Sequence, residues 1–291
     1  MEHGQESKNQ IGTGKMTEYK AYAVTNIGNV RENNEDNFFC NGIYKQNVLM
    51  PDYIYEDFGD SEDLSVFAVF DGMGGIDCGE TASLLAAEKL CDYFVETAVN
   101  WETFFLEEAI WGMNESLCQE MEGRSITMGS TAVILSCQGG EACIANLGDS
   151  RAYFYREGVL KQISFDHTEQ NSMLELQKEL GLEESMELPG MKDMLTQHLG
   201  VSEEDFLLEP FISDRMKIQP GDTFLLCSDG LSGEVSDMLI QEFLARKEDE
   251  TITDRASDLL KGALQAGGQD NITFILIEFG SERSVVDGKG I

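Results

Sequence analysis

Apolar positions along the 291 residues follow two periods. Short runs bounded by glycine or acids predict strands: Glu18 to Val24, Val66 to Phe70, and a close series from Ser130 to Ser164 reading STAVILSC, ACIANL, RAYFY and VLKQIS. Gly139-Gly140 and Glu157-Gly158 fall where tight hairpin turns belong. Two later runs, DTFLLCSD at 222–229 after the turn Pro220-Gly221 and NITFILIEF at 271–279, complete the strands. Between Glu80 and Ala98, residues Ala82, Leu85, Ala86, Leu90, Tyr93 and Phe94 recur near a helical period. Between Trp101 and Met121, residues Phe105, Ala109, Met113, Leu117 and Met121 repeat every four on one face, a second helix. Further helices are expected around 170–181 and as a pair at about 235–247 and 251–266. The stretch 51–64, PDYIYEDFGDSEDL, carries six acids and predicts a solvated loop.

Helices in pairs and strands at hairpin spacing imply an α+β fold with a largely antiparallel sheet system flanked by helix pairs. No fixed-period repeat and no proline- or serine-rich linker divides the chain. One domain over 17–280 is therefore expected, with a loose polar leader at 1–16 and a polar tail at 281–291. Twenty Lys and Arg against fifty-four Asp and Glu leave a net charge of −34. That field repels nucleic-acid backbones and anionic membrane surfaces, so neither is an expected partner. It draws divalent cations to any place where carboxylates converge. The N-terminus has no apolar signal region, and no run approaches the ~18 apolar residues of a membrane helix. Seven cysteines without a CxxC pair read as reduced, mostly buried thiols, and the expected location is cytoplasmic.

The candidate chemistry lies at the ends of the apolar runs. SVFAVFDG sets Asp71 after a buried strand, followed by Gly72, and FLLCSDG repeats the arrangement with Asp229 and Gly230. GGQDNITFILI sets Asp270 just before a strand, and RENNEDNFF supplies Arg31, Glu35 and Asp36 before another apolar pair. Carboxylates held at strand ends and meeting one another repel, and a cation relieves the repulsion. Ligation by oxygen alone suits hard ions such as Mg²⁺ and Mn²⁺. Glycine after each acid allows close approach of backbone or solvent.

Six segments carry a family resemblance: GNVRENNEDNFF (28–39), VFAVFDGMGG (66–75), MGSTAVI (128–134), IANLGDSRAYFY (144–155), DTFLLCSDGLS (222–232) and GGQDNITFILI (267–277). In that order they resemble the type 2C (PPM) metal-dependent protein serine/threonine phosphatases of the short bacterial kind. The resemblance implies a central antiparallel β-sandwich with paired helices outside, and two divalent cations, Mn²⁺ or Mg²⁺, bridged by a solvent molecule. By motif, Asp71 bridges both ions, Asp229 and Asp270 complete the first site, and the Gly72 carbonyl serves the second. Asp36, with Glu35 nearby, holds ion-bound waters, Asn271 supports from behind, and Asp149 in GDSR matches the ligand of a possible third ion. Arg31 clamps the substrate phosphate, a role suited to a bidentate guanidinium. The implied reaction is direct hydrolysis of phosphoserine or phosphothreonine by the bridging water, without a phosphoenzyme.

Met73 stands where many eukaryotic relatives have a histidine proposed as general acid, and His3, His167 and His198 lie outside that motif. Leaving-group protonation is then expected from water, and His167 reads as structural. Residues 168–212 correspond to the family's variable flap, whose acids Glu183, Glu184, Glu187, Glu203, Glu204 and Asp205 suggest discrimination against acidic phosphopeptides. Substrates are expected to be phosphoproteins of a bacterial serine/threonine kinase, with the chain acting as a stand-alone enzyme. Two rival readings are a catalytically silent regulatory module and a hydrolase of small phosphoesters. GMGGIDCG is not a dinucleotide loop, because Asp77 replaces the third glycine, and GTGKMT lacks the first glycine of a phosphate loop.

Overall fold

The computed structural model describes residues 16–74, 78–100, 105–181, 194–202, 207–245 and 250–283. In chain order it opens with β1 (Met16–Asn26), β2 (Asn37–Cys40), β3 (Ile43–Tyr44), β4 (Tyr53–Asp60), β5 (Ser65–Phe70) and β6 (Gly72–Gly74). Helices α1 (Gly79–Asn100) and α2 (Leu106–Met121) follow. Next come β7 (Met128–Ser130), β8 (Ala132–Gln138), β9 (Glu141–Leu147), β10 (Arg151–Arg156), β11 (Val159–Gln162) and α3 (Glu169–Glu179). Strands β12 (Phe211–Ile212), β13 (Met216–Lys217) and β14 (Thr223–Cys227) lead to α4 (Asp229–Ser232), α5 (Asp237–Leu244), α6 (Ile252–Ala266) and β15 (Ile272–Arg283).

The strands form two large antiparallel sheets, ordered β11-β10-β14-β15-β1-β4 and β12-β9-β8-β5-β2-β3, with β13 also pairing β9, and a two-stranded sheet of β6 and β7. Alternation along each strand sends side chains to opposite faces. Phe67 and Val69 of β5 meet Phe224, Leu226, Ile275 and Ile277 between the sheets. Val66, Ala68 and Phe70 face the other way, against Ala82, Ala86 and Leu90 of α1 and Ala109, Met113 and Leu117 of α2. On the far side, Ile240 and Leu244 of α5 and Leu259 and Ala263 of α6 cover Phe274 and Leu276. The layers are helix, sheet, sheet, helix: the α+β class expected from the pattern, arranged as the sandwich the resemblance implies. Because both faces of β5 are covered, all its residues are buried, which is why SVFAVF is an unbroken apolar run. Each large side chain buried this way contributes about 1.5–3 kcal/mol.

The expected hairpins are present, with Gly139 and Gly140 at φ 60° and 72° and Glu157 and Gly158 at φ 52° and 84°. Two left-handed residues in succession match the twist of the flanking strands. Residues 51–64 depart from expectation: they contain β4, the edge strand paired to β1 from Glu18↔Asp60 to Thr25↔Tyr53. Its outward positions, Ile54, Glu56 and Phe58, are exposed, so charge and aromatic residues alternate in a way that reads as a loop. The second helix begins at Leu106; Phe105 precedes it, half-exposed, and residues 101–104 lie outside the described residues. Asp229 opens the short helix α4 instead of ending a strand, and β15 runs to Arg283, past the expected start of the polar tail. All seven cysteines are free, but Cys78, Cys91, Cys118 and Cys143 are only partly buried. No helix among the described residues is long and apolar enough to cross a membrane.

Candidate functional site

Register brings the predicted acids to one end of the sandwich. Asn37 pairs with Phe70, which sets Asp36 beside Asp71 just past the ends of β2 and β5. In the opposite sheet Cys227 pairs with Phe274, so Asp229 and Asp270 flank the same rim. The glycines behind the acids are needed for this closeness. A Cβ on Gly72 would collide with the carbonyl oxygens of Gly79 and Glu35, and one on Gly230 with that of Asn271.

The loop between β1 and β2, which carries Arg31, Glu35 and Asp36, is tied down from several sides. Asn271 Nδ2 donates to the carbonyls of Ile27 (3.0 Å) and Asn33 (2.9 Å), while its Oδ1 accepts from the Glu35 amide (2.8 Å). Asn34 donates to Thr25 Oγ1 (2.8 Å) and the Pro51 carbonyl (2.7 Å), and accepts from the Asp36 amide (3.1 Å). Ser228 Oγ donates to Asp36 Oδ2 at 2.8 Å. Ser83 Oγ, one turn into α1, donates to the Glu35 carbonyl at 2.6 Å. Thr131 supports the other side: its Oγ1 accepts from the Asp71 amide (3.0 Å) and its amide donates to the Asp71 carbonyl (2.9 Å).

The carboxyl groups perturb one another strongly. Burial, with Asp229 and Asp270 adding to it, pushes Asp36 up to about 8. Burial and the neighbouring Asp36, Asp229 and Asp149 hold Asp71 well above the ordinary carboxylate value. Asp149 is pushed up to about 7, by burial and then Asp229. Glu35 is raised as well, by burial foremost. Arg31 Nη2 lies 2.5 Å from Asp270 Oδ2, and that bond raises the already high pKa of the guanidinium. Half of the Arg31 side chain remains exposed at the rim.

Such a set fits divalent cations. Its donors are all oxygen, several are buried, and they oppose each other's ionisation, so bound positive charge would replace protons. Among the described residues no His, Cys, Asp or Glu side chains already form a three-ligand cage, and Asp270 is turned toward Arg31.

Several supporting residues carry no signal in the sequence. Lys45 is 1% exposed, and its Nζ donates to the Asn34 carbonyl at 2.7 Å. Burial lowers its pKa to about 8, with Asp36 pulling the other way. Asn37 fixes it in place by accepting from the Lys45 amide (2.9 Å) and donating to its carbonyl (3.0 Å). A lone lysine in GIYKQN offers nothing to read, whereas Ser228 and Thr131 lie inside recognised segments. His167 is buried, with Nδ1 accepting from the Gly148 amide at 3.2 Å, which steadies the turn before Asp149. The flap acids Glu183, Glu184, Glu187, Glu203, Glu204 and Asp205 lie outside the described residues, as do His3 and the GTGK segment.

The family model for protein phosphatase 2C matches residues 20–175. The serine/threonine phosphatase stp of Listeria monocytogenes is 33% identical over 264 residues, covering 87% of this chain and 93% of its own. PstP, a serine/threonine protein phosphatase of Mycobacterium tuberculosis, is 32% identical over 73% of this chain and 40% of its own. Among solved structures, the S. agalactiae serine/threonine phosphatase aligns with a TM-score of 0.70 at 25% identity, over 89% of this chain and 99% of its own. The catalytic domain of PstP in complex with two manganese ions aligns with a TM-score of 0.67 at 27% identity, over 91% of this chain and 100% of its own.

Proposed function

Since the chain belongs to the protein phosphatase 2C family, we propose how its own residues perform that family's reaction, the metal-dependent hydrolysis of phosphoserine and phosphothreonine in proteins. Asp71 would hold both ions, Asp229 and Asp270 would complete one site, the Gly72 carbonyl would serve the other, and Asp36 and Glu35 would hold waters around them. Asp149 would serve a third, weaker ion if one binds. The observation that carries this reading is the mutual opposition of Asp36, Asp71, Asp149 and Asp229 at one rim. Divalent cations bound there supply an acidified water near neutral pH and offset charge on the phosphoryl group.

The chain's own residues do the rest. Arg31, on a loop fixed by Asn271, presents its guanidinium at the mouth, and on substrate binding exchanges its bond to Asp270 for the phosphate oxygens. Asn34 and Ser228 keep Asp36 oriented, and Thr131 keeps the Asp71 backbone in line. The catalytic unit spans 17–280 with the flap at 168–212, and the enzyme acts in the cytoplasm on products of a bacterial serine/threonine kinase. Phosphate release from a phosphothreonine peptide tests the reading: release with Mn²⁺, lost with chelator and in Asp229→Asn, is expected. Release that persists in either condition would overturn it.

A further inference from the structure

The pairing Val69↔Val133 between β5 and β8 continues without a shift into Gly72↔Ser130 and Met73↔Gly129 between β6 and β7. Alternation therefore carries through from strand to rim. Ala68 and Phe70 face the helices, as do Ala132 and Ile134 across from them, whereas Phe67, Val69 and Val133 face the space between the sheets. Asp71, Met73, Gly129 and Thr131 lie on that second face, which opens at the rim onto the acids.

A third segment extends this ribbon. Ser130 and Leu199 form an antiparallel bridge, with the Leu199 amide donating to the Ser130 carbonyl at 2.8 Å and the Ser130 amide donating back at 3.3 Å. Leu199 is buried in the helix-side core, so the neighbouring His198 projects to the opposite face, the one carrying Asp71 and Met73. Its ring lies over Gly129. A Cβ built there would come within 2.8 Å of His198 Nδ1 and 3.3 Å of Cε1. By that register His198 opposes Thr131, and its ring leans over Gly129, which on its other side opposes Met73. The stem is anchored by Asn114 of α2, whose Oδ1 accepts from the amides of Gly200 (2.8 Å) and Val201 (3.1 Å) and whose Nδ2 donates to the Val201 carbonyl (3.0 Å).

His198 Nδ1 is 2.8 Å from the Leu199 carbonyl, which only accepts, so Nδ1 carries hydrogen. Nε2 is then the ring nitrogen left for a second partner, and the ring is partly exposed.

We propose that His198, delivered by the flap stem to the acid-bearing face across Gly129 from Met73, donates the proton to the departing seryl or threonyl oxygen. The assignment rests on the hydrolytic reading above. The phosphorus–oxygen bond to the substrate side chain breaks, its electron pair stays on that oxygen, and Nε2–H supplies the proton as water oxygen joins phosphorus. The neutral imidazole keeps Nδ1–H on Leu199 and recovers its proton from solvent. Water as the sole donor, the expectation from sequence, is replaced by a side chain outside the six recognised segments.

An alkoxide needs a proton to leave, whereas 4-nitrophenolate leaves without one, and the test uses that difference. The full chain with Mn²⁺ is assayed on a phosphothreonine peptide and on 4-nitrophenyl phosphate, as wild type, His198→Gln, His198→Ala and the exposed stem variant Met194→Ala. Removing a general acid costs about 10²–10⁴-fold, so the His198 variants should lose roughly 10²-fold or more on the peptide and less than about tenfold on the aryl ester. Met194→Ala should keep the wild-type ratio between the two substrates. Equal losses on both substrates, or no loss on the peptide, would overturn the assignment. A wild type inactive on both substrates would remove the hydrolytic reading and this assignment with it. An independent readout is proton NMR in Mg²⁺, with the His198 Cε1–H resonance identified by its disappearance in His198→Gln. Inorganic phosphate should shift that resonance, and an unmoved signal at saturating phosphate would contradict the proposal.

Discussion

At the end of the sandwich where β1 begins, Asp57 receives hydrogen bonds from Asn41 Nδ2 (2.7 Å) and the Tyr19 hydroxyl (3.3 Å), and Ser65 Oγ donates to the same Tyr19 oxygen at 3.1 Å. At the end where β1 finishes, Asp36, Asp71, Asp149 and Asp229 lie close enough to raise one another's pKa. Both ends tuck acids against the same two sheets. One carboxylate met by neutral donors is complete as a structural element, and it ties β4 to the turn between β2 and β3. Several carboxylates meeting each other are complete only with added positive charge, and that is what makes the second end chemically useful.

The largest expected contrast is in activity. Asp71→Asn should reduce phosphopeptide turnover by on the order of 10³-fold or more. The same change removes one repelling charge, so in chelator the variant should melt above the wild type and gain less from Mn²⁺. Turnover together with thermal unfolding checks both halves. A variant that melts lower in chelator would show that repulsion at this rim is small.

The next effect is in pH. Folded-state values for Asp36, Asp71 and Asp149 are raised above the ordinary carboxylate value of about 4. The metal-free folded chain thus keeps protons that the unfolded chain has released between about pH 4 and 8. Stability from these groups is present below pH 4 and is lost as pH rises through the folded values. Lys45, lowered to about 8, acts only above that window. Unfolding midpoints in chelator should fall from pH 5 to pH 8, and saturating Mn²⁺ should flatten the trend. A midpoint that rises across this range in chelator would contradict the opposition of the acids.

Lys45→Met comes third. It leaves the buried Asn34 carbonyl without its donor and should cost about 1–3 kcal/mol in urea unfolding. An unchanged midpoint would mean that the ammonium is not needed beneath the loop. Asp57→Asn, at the other end, should be the mildest, within about 1 kcal/mol, with turnover and the response to Mn²⁺ unaltered. A loss of metal response there would erase the distinction between the two ends.

Most of this architecture was legible because the acids stand next to apolar runs. SVFAVF followed by Asp71, and Asp270 before NITFILI, announce a strand and its rim together. β4 was not legible, since an edge strand is covered on one side only and its exposed positions tolerate charge. The four-residue α4 is too short for any period to reveal. Lys45 and Asn114 act through contacts with distant segments, and a single residue has no spacing to detect. His198 is visible in LTQHLG, but only the unshifted register through Met73 and Gly129 tells which face it takes.

Calorimetric titration of the metal-free chain with Mn²⁺ tests the carboxylate rim most directly. Two ions should bind tightly per chain, apart from any weaker third at Asp149, with the heat lost in Asp71→Asn and retained in Asp57→Asn. Binding of equal strength and number in wild type and Asp71→Asn would contradict the assignment of this rim as the metal centre.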